Sequence, residues 1–158
     1  MTSLWLADAA ATDALGAALA RTRPTPAVVH LVGDLGAGKS TLARALLRAL
    51  GVTGAIRSPT YTLVERYPLA DGGEAWHLDL YRIAEAGELE YLGLDADEVV
   101  LWLIEWPERG SAALPPPDLI VALAVENQGR RARISAGTPA GQAWLAVMSA
   151  PAGFPGDS

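Results

Sequence analysis

Apolar residues recur with two different spacings along the first third of the chain. After residues 12–13, which can cap a helix, they recur at helical spacing until Pro24. The next apolar run, residues 27–32, is short and rich in β-branched side chains, so it predicts a buried strand. A glycine-rich stretch follows, and residues 42–50 return to helical spacing until Gly51. This third of the chain therefore predicts helix, strand, glycine-rich loop and helix in succession.

Further strands are indicated in the middle of the chain. Residues 61–67 favour one strand, and the turn sequence at 71–73 predicts a hairpin into a second, residues 75–80. A short helix is favoured around residues 85–92. The continuous apolar run 99–104 predicts a central strand, because a strand that is covered on both faces can be apolar at every position.

The last third of the chain predicts an antiparallel hairpin and a helix. Three prolines at 115–117 interrupt the chain, after which residues 119–125 and 131–136 flank a turn sequence at 127–129. Helix signals return over residues 139–148. The chain therefore ends its regular structure on a helix.

Composition limits the number of domains and the compartment. A chain of 158 residues with 51% hydrophobic content suits one globular domain, which we assign to residues 1–150, with a disordered tail at 151–158. The chain has no cysteine, which excludes disulfides and thiolate metal sites and fits the cytoplasm. It shows neither a signal-peptide pattern nor an apolar stretch of about 18 residues, so we expect a cytoplasmic protein with no membrane partner.

Charge argues against direct binding of nucleic acid. The formal net charge is -6 at pH 7, whereas proteins bind a phosphate backbone mainly through Lys and Arg. Any nucleic acid is therefore expected to reach this protein through a partner. Lys39 is the only lysine in the chain, which indicates that this position requires a compact ammonium group and not a planar guanidinium. The alternative is random drift in a chain that uses few lysines.

The strongest motif in the chain is G-x-x-x-x-G-K-[ST], which Gly33, Gly38, Lys39 and Ser40 match without a mismatch. The glycines let successive backbone N–H groups point into one concavity, and the following helix adds its positive amino end. In such a loop the lysine reaches the β- and γ-phosphates of a nucleotide, and the hydroxyl binds Mg²⁺. The residues expected to contact the nucleotide are Asp34, Leu35, Gly36, Ala37, Gly38, Lys39, Ser40 and Thr41.

The order of the elements around this motif predicts the fold class. A strand, a glycine-rich loop and a helix form the unit that a phosphate-binding loop requires. We therefore predict an α/β fold, a P-loop NTPase-like three-layer sandwich. Its central sheet is expected to be mostly parallel, with an antiparallel hairpin at the C-terminal end.

Two carboxylates at the ends of apolar strands are candidates for the reaction chemistry. Glu105 follows the run 99–104, and Asp79 lies near the end of the strand 75–80. A buried carboxylate without a partner is costly, so a carboxylate in such a place usually has one. We expect Asp79 and Glu105 to bind Mg²⁺ together with Ser40, or to orient the attacking water. The alternative is that each contacts solvent at the end of its strand.

Four other residues are considered for the site. Thr60 precedes a strand in a region where phosphate-loop enzymes carry a segment that responds to the γ-phosphate, so it is a candidate catalytic residue and second hydroxyl for Mg²⁺. A plain turn is the alternative. His77 is a lone histidine in an apolar strand, which favours a core position over a ligand. Trp102 and Trp106 flank Glu105, and core packing is favoured over base stacking for both.

Five segments of the chain, taken in order, resemble one family. The segments GDLGAGKST, SPTYTLVERY, HLDLYR, ELEYLGL and IEWPERG are similar in order and spacing to the TsaE family, also called YjeE, over almost the whole chain. The resemblance implies a small P-loop ATPase that binds ATP and Mg²⁺. It also implies a role beside TsaB and TsaD in the synthesis of threonylcarbamoyladenosine in bacterial tRNA. The modified base lies beside the anticodon, and this chain is expected to contact tRNA only through its partners.

The same resemblance implies roles for individual residues. Lys39 and the loop amides would hold phosphate, Ser40 would bind Mg²⁺, and Thr60 would lie in a switch-like loop. Asp79 and Glu105 would complete the metal and water site. The family often has threonine at the position of Ser40, and both hydroxyls can bind Mg²⁺.

Other functions remain open on the sequence. A small-molecule or nucleotide kinase shares the loop and the size, although such kinases usually carry a lid with several arginines, whereas residues 85–97 are acidic. A nucleotide-gated interaction module, in which ATP binding alone controls docking, is a second possibility. A GTPase is disfavoured because the guanine motif N-K-x-D is absent and residues 127–130 are a poor substitute for it.

Overall fold

The structure is a computed structural model that describes residues 1–59, 62–83, 98–110 and 114–148. In chain order its elements are β1 (Thr2–Leu6), α1 (Ala9–Thr22), β2 (Ala27–Val32), α2 (Lys39–Ala49), β3 (Val64–Pro68), β4 (Glu74–Asp79), β5 (Val99–Glu105), a 3₁₀ turn (Pro107–Arg109), β6 (Leu119–Glu126), β7 (Gly129–Ala136) and α3 (Pro139–Met148). None of the helices in these ranges has the length and apolar character that crossing a membrane requires.

The strand order places the glycine-rich loop in the middle of the sheet. The seven strands are arranged as β1-β7-β6-β2-β5-β4-β3. β6, β2, β5 and β4 run parallel to one another, whereas β1, β7 and β3 join through antiparallel pairs. Parallel strands end at the same edge, so the loop after β2 lies beside the last residues of β5 and β4. The predicted α/β fold with a mostly parallel central sheet and a C-terminal hairpin is confirmed.

Two apolar clusters cover the two faces of the sheet. Successive residues of β2 show the division, because Val29 packs with the three helices on one face whereas Val28 packs with Trp76 on the other. Burial of a large aliphatic side chain contributes about 1.5–3 kcal/mol. The helix side is filled by leucines that are at most 2% exposed: Leu15, Leu19, Leu42, Leu46 and Leu47. This packing fixes α2, and with it the carboxyl-terminal end of the glycine-rich loop.

The amino-terminal part of the chain differs from the prediction in two ways. Residues 2–6 form an edge strand, β1, whose side chains alternate between exposed and buried as in a strand with one buried face. Helix α1 begins after Asp8, whose carboxylate accepts a hydrogen bond of 3.0 Å from the Ala11 N–H. The cap predicted at residues 12–13 is wrong, because those residues lie one turn inside the helix.

The other described elements follow the prediction. The strand predicted at 61–67 begins at Val64 and ends one residue later than predicted, and the hairpin into β4 is present. The turn between β6 and β7 consists of Asn127 and Gln128, whose positive φ angles of 47° and 69° suit a two-residue hairpin. The predicted helix at 85–92 and the tail at 151–158 lie outside the described residues.

Replacing Gly141 by alanine is expected to destabilise the protein by about 1–3 kcal/mol. Gly141 lies in the first turn of α3, and a Cβ there would overlap the backbone carbonyl oxygen of Asp118. Asp118 is held in place, because its N–H donates to the Val28 carbonyl at 2.9 Å and its carboxylate accepts from the Val28 N–H at 2.8 Å. Urea denaturation measures the loss. The control is Gln142→Ala at the exposed neighbouring position, which should change the stability by less than about 0.5 kcal/mol. Unchanged stability of the Gly141 variant would contradict this packing.

Candidate functional site

Three glycines shape the loop between β2 and α2. Gly33, Gly36 and Gly38 have φ angles of 144°, 79° and 107°, a range that residues with a Cβ rarely adopt. A Cβ at Gly36 would meet nothing within 4 Å, and one at Gly38 would meet only Arg130 Nε, at 3.7 Å. Gly33 instead packs against the Leu123 carbonyl, which leaves no space for a side chain. The loop is therefore anchored at its start and faces open space along its tip.

The amino end of α2 supplies backbone donors to this open space. The N–H groups of the first turn of a helix have no acceptor within the helix. Gly38 occupies the cap position with φ in the left-handed region, and no side chain caps the helix. These N–H groups and the helix dipole favour an anion at this point. The cradle therefore fits a phosphate group, and its glycines leave the room that one needs.

Lys39 is held against the loop by its own backbone contacts. The side chain is only 5% exposed, and Nζ donates hydrogen bonds to the carbonyl oxygens of Gly33 and, at 3.0 Å, of Asp34. The same nitrogen lies 4.5 Å from the centre of the Trp106 ring. A cation over an aromatic face is attracted by the ring's negative face. The ammonium group is therefore positioned at the mouth of the cradle.

The two carboxylates singled out in the sequence lie side by side at the edge of the sheet. Asp79 and Glu105 are register partners at the ends of β4 and β5, and they are 7% and 3% exposed. Glu105 Oε2 accepts a hydrogen bond of 2.8 Å from the Ser40 hydroxyl. This contact joins the first turn of α2 to the carboxylate pair. The structure thus brings Ser40, Asp79 and Glu105 together at one edge of the sheet, and their roles stay predictions.

His77 belongs to this cluster, although the sequence favoured a core position. Its ring is fully buried, and Nε2 lies 2.6 Å from Glu105 Oε2, the oxygen that also accepts from Ser40. His77 and Asp79 are two residues apart on β4, so their side chains point to the same face. That spacing is the sequence signal that would have joined the histidine to the carboxylates.

Burial has a measurable consequence for Asp79. Removal from solvent raises the pKa of its carboxyl group above the usual value, and the neighbouring Glu105 raises it further. The Tyr81 N–H, which donates to Asp79 Oδ1 at 3.0 Å, acts in the opposite direction. Two buried carboxylates beside a hydroxyl form a set of oxygen donors that suits Mg²⁺. Ser40, Asp79 and Glu105 therefore fit the metal that the motif implies.

A cavity of about 240 Å³ brings these features together. Its walls are Leu35, Gly36, Gly38, Lys39, Ser40, Thr41, Asp79, Glu105, Trp106 and Arg130. Eight of these ten are residues that the sequence predicted for the site. Two other predicted residues are not part of the wall. Asp34 is exposed and its carbonyl accepts from the Ala37 N–H at 3.1 Å, whereas the Ala37 side chain packs in the core. Thr60 lies outside the described residues.

Trp106 and Arg130 are the cavity residues that the sequence did not assign to the site. Trp106 has a φ of 57°, a left-handed conformation that costs about 1–2 kcal/mol and turns the chain immediately after β5. Core packing, predicted for both tryptophans, is correct for Trp102, whose ring centre lies 5.2 Å from that of Trp76. It is incomplete for Trp106, which is half-buried and also forms part of the cavity wall.

Comparison with known proteins agrees with the fold and the motifs. A family model described as "Threonylcarbamoyl adenosine biosynthesis protein TsaE" matches residues 6–133. The tRNA threonylcarbamoyladenosine biosynthesis protein TsaE of Haemophilus influenzae is 41% identical over 126 residues, which is 77% of this chain and 78% of that protein. The TsaE protein of Synechocystis is 42% identical over 116 residues, which is 66% of this chain and 69% of the relative.

A solved structure shows the same fold. The crystal structure of Bacillus subtilis YdiB matches with a TM-score of 0.73 and covers 92% of this chain and 91% of its own, at 23% sequence identity. At that identity the likeness is one of fold alone. The family match over residues 6–133 and the two close relatives carry the assignment further. This chain belongs to the TsaE family, whose members are named for the biosynthesis of threonylcarbamoyladenosine in tRNA.

Proposed function

We propose that this chain is a Mg²⁺-dependent ATPase that supports threonylcarbamoyladenosine modification of tRNA together with TsaB and TsaD. One observation carries the proposal. The Ser40 hydroxyl donates to the buried Glu105 carboxylate at 2.8 Å, beside the buried Lys39 ammonium and at the edge of a single cavity. A phosphate cradle, a cation and two carboxylates in one place are the parts that nucleotide hydrolysis requires.

Different residues of the cavity bind the phosphates and the metal ion. The N–H groups at the start of α2 and the Lys39 ammonium bind the phosphates. Ser40, Asp79 and Glu105 would hold Mg²⁺, which would supply positive charge to neutralise the phosphates during hydrolysis. We propose ATP as the nucleotide, and the absence from the sequence of the guanine motif N-K-x-D argues against GTP. The aromatic face of Trp106 closes the cavity beside the lysine.

The contacts favour different roles for the two carboxylates. Glu105 Oε2 contacts the Ser40 hydroxyl and His77 Nε2. Because Ser40 is a proposed Mg²⁺ ligand, this contact favours Glu105 as a metal ligand. Asp79 lies beside it in the same cavity and is the better candidate to orient water toward the γ-phosphorus. Attack by water breaks the bond to the β–γ bridging oxygen and yields ADP and inorganic phosphate. The Asp79 and Glu105 assignments are part of this proposal.

Charge and family membership support the proposed role beside partners. With a net charge of -6 the chain is a poor direct ligand for tRNA, so we propose that tRNA is met through TsaB and TsaD. ATP turnover by this chain alone is expected to be slow. We propose that contact with the partners raises the rate, because closure of an active site often limits turnover.

Incubation of the purified chain with ATP and Mg²⁺, without any acceptor, tests the proposed reaction. ADP and inorganic phosphate should form in equal amounts, and addition of TsaB and TsaD should raise the rate. A kinase would instead need a hydroxyl acceptor and would transfer label from ATP to it. Labelled product on a panel of hydroxyl acceptors, with no free phosphate, would replace the ATPase proposal by the kinase alternative.

Replacing Ser40 by alanine is expected to raise the Mg²⁺ concentration for half-maximal hydrolysis by about tenfold. The hydroxyl is a proposed metal ligand, and its contact with Glu105 positions the carboxylate as well. Hydrolysis measured across a Mg²⁺ titration at saturating ATP gives the value. The matched control is Ser40→Thr, which keeps the hydroxyl and should retain the wild-type Mg²⁺ dependence. If the alanine variant has the same dependence as wild type, Ser40 is not a metal ligand.

A further inference from the structure

Arg130 lies on the opposite side of the glycine-rich loop from the carboxylates. In the strand order, β5 and β4 are on one side of β2, whereas β6 and β7 are on the other. Asp79 and Glu105 end the strands on the first side, and Arg130 is the second residue of β7 on the second side. The cavity therefore has an acidic end and a basic end, with the phosphate cradle between them.

The hairpin between β6 and β7 fixes the position of this arginine. Arg130 is the register partner of Val125 on β6 and of Leu6 on β1, so its backbone is paired on both sides. The adjoining residue, Gly129, packs against the Leu6 carbonyl with no room for a side chain. The arginine side chain consequently projects from a rigid part of the sheet toward the loop.

The guanidinium group contacts the loop directly. Nη1 donates to the Gly129 carbonyl at 3.0 Å, and Nη2 reaches the Gly36 carbonyl at 3.4 Å. Nε lies 3.7 Å from the place of a Cβ on Gly38. A distance of 3.4 Å is longer than the usual range of about 2.7–3.2 Å, so the Gly36 contact is weak and is readily exchanged for a charged oxygen.

The negative charge that is left on each phosphate of a bound nucleotide indicates which phosphate this arginine would bind. Mg²⁺ on the carboxylate side would neutralise the β- and γ-phosphates, and the lysine of such a loop reaches the same two groups. The α-phosphate keeps its charge and lies toward the other end of the cradle. Lys39 and Arg130 are the two cations in the described cavity wall, so Arg130 is the group available for that charge.

We propose that the Arg130 guanidinium binds a non-bridging oxygen of the α-phosphate and positions the nucleotide from the hairpin side of the loop. This inference rests on the proposed ATPase function and adds a residue to it. It also gives a role to the segment 127–130. This segment lacks the guanine-binding motif, but its last residue is the arginine that faces the cradle. A guanidinium with five N–H donors can keep its carbonyl contact at Gly129 while it binds phosphate.

Replacing Arg130 by alanine is expected to weaken the binding of Mg·ATP and of Mg·ADP by the same factor, about tenfold. Both nucleotides carry an α-phosphate, so their affinity ratio should not change. Calorimetric titration gives the two dissociation constants. The matched control is Arg133→Ala, which also removes one arginine. Arg133 is exposed and lies three residues further along β7, on its other face, so this change should leave both affinities unchanged.

A second measurement separates phosphate contact from a structural effect on the loop. The two diastereomers of ADP with sulfur at the α-phosphate differ only in which non-bridging oxygen is replaced. The wild type should bind one of them at least about tenfold more tightly, because a charge-assisted hydrogen bond to one oxygen is lost in the other. Arg130→Ala should bind the two with nearly equal affinity, which a mere change in stability would not produce.

The possible outcomes can be told apart. An ATP affinity that falls while the ADP affinity is kept would place Arg130 at the γ-phosphate and overturn the inference. So would a diastereomer preference that is absent in the wild type or survives in the alanine variant. If the wild type binds nucleotide and Arg130→Ala binds it equally well, this inference fails while the ATPase proposal stands. If the wild type binds neither nucleotide, the ATPase proposal itself fails.

Discussion

Replacing Lys39 by alanine is expected to weaken ATP binding by a factor of about 10²–10⁴. A hydrogen bond to a charged group contributes about 1.5–3 kcal/mol, the lysine is placed to reach two phosphates, and each 1.4 kcal/mol is about tenfold in affinity. The structure supports a large effect because Lys39 is only 5% exposed and its ammonium group is already held by the loop carbonyls. Little further ordering of the side chain is needed when the phosphates bind. Equilibrium titration with ATP and Mg²⁺ measures the loss.

The control for Lys39 is another cation of the same helix. Arg48 lies in the last turn of α2 with an exposed side chain, and its replacement by alanine should leave ATP affinity unchanged. Lys39→Arg tests the size of the group, because a planar guanidinium is wider than an ammonium and the site packs against Trp106. We expect it to bind ATP almost as poorly as the alanine variant. Hydrolysis by Lys39→Ala at the wild-type rate would end the ATPase proposal.

Replacing Glu105 by glutamine is expected to lower the rate of ATP hydrolysis by about 10²–10³ while the ATP affinity changes by less than about threefold. Glutamine keeps the shape of the side chain but removes the negative charge that the proposed metal site uses. Glu105 lies beside the Ser40 hydroxyl and outside the loop that binds phosphate, so binding and chemistry should separate. Single-turnover hydrolysis gives the rate, and titration gives the affinity. Replacement by alanine is a less specific test, because it also removes the partner of buried His77.

The matched control for Glu105 is a carboxylate of the same type away from the cavity. Glu65 lies on β3 with a hydroxyl partner, Thr62, at 3.1 Å, and Glu65→Gln should leave both rate and affinity unchanged. A Glu105→Gln protein that hydrolyses ATP at the normal rate would contradict the assignment. One that binds ATP, fails to hydrolyse it and still supports repeated rounds of tRNA modification with TsaB and TsaD would favour the nucleotide-gated module.

Local patterns in the sequence predicted most of the described fold. The run 27–32 and the helical spacing after it are strong signals, because their burial follows from residues close in the chain. β1 was not predicted, since a five-residue edge strand becomes evident only when its partner β7 is known. The helix cap was assigned one turn late because Thr12, which resembles a cap, is in fact a buried residue of the helix.

The candidate site was predictable to the extent that its parts are local or end a strand. The loop residues follow one motif, and Asp79 and Glu105 follow from the cost of leaving a carboxylate unpartnered. Arg130 was not predictable in this way, because its place beside Gly36 depends on the sheet order. His77 was given a core position since burial alone describes it correctly, and its contact with Glu105 depends on the register of β4 against β5.

The burial of Lys39 has a consequence for covalent modification of this protein. Because Lys39 is the only lysine in the chain, enzymatic acetylation or an amine-directed reagent has one side chain to modify, and it lies at the phosphate cradle. Acylation there would remove the positive charge and add bulk in one step. Because the residue is only 5% exposed and its ammonium donates to two loop carbonyls, those contacts would have to open before the amine could react.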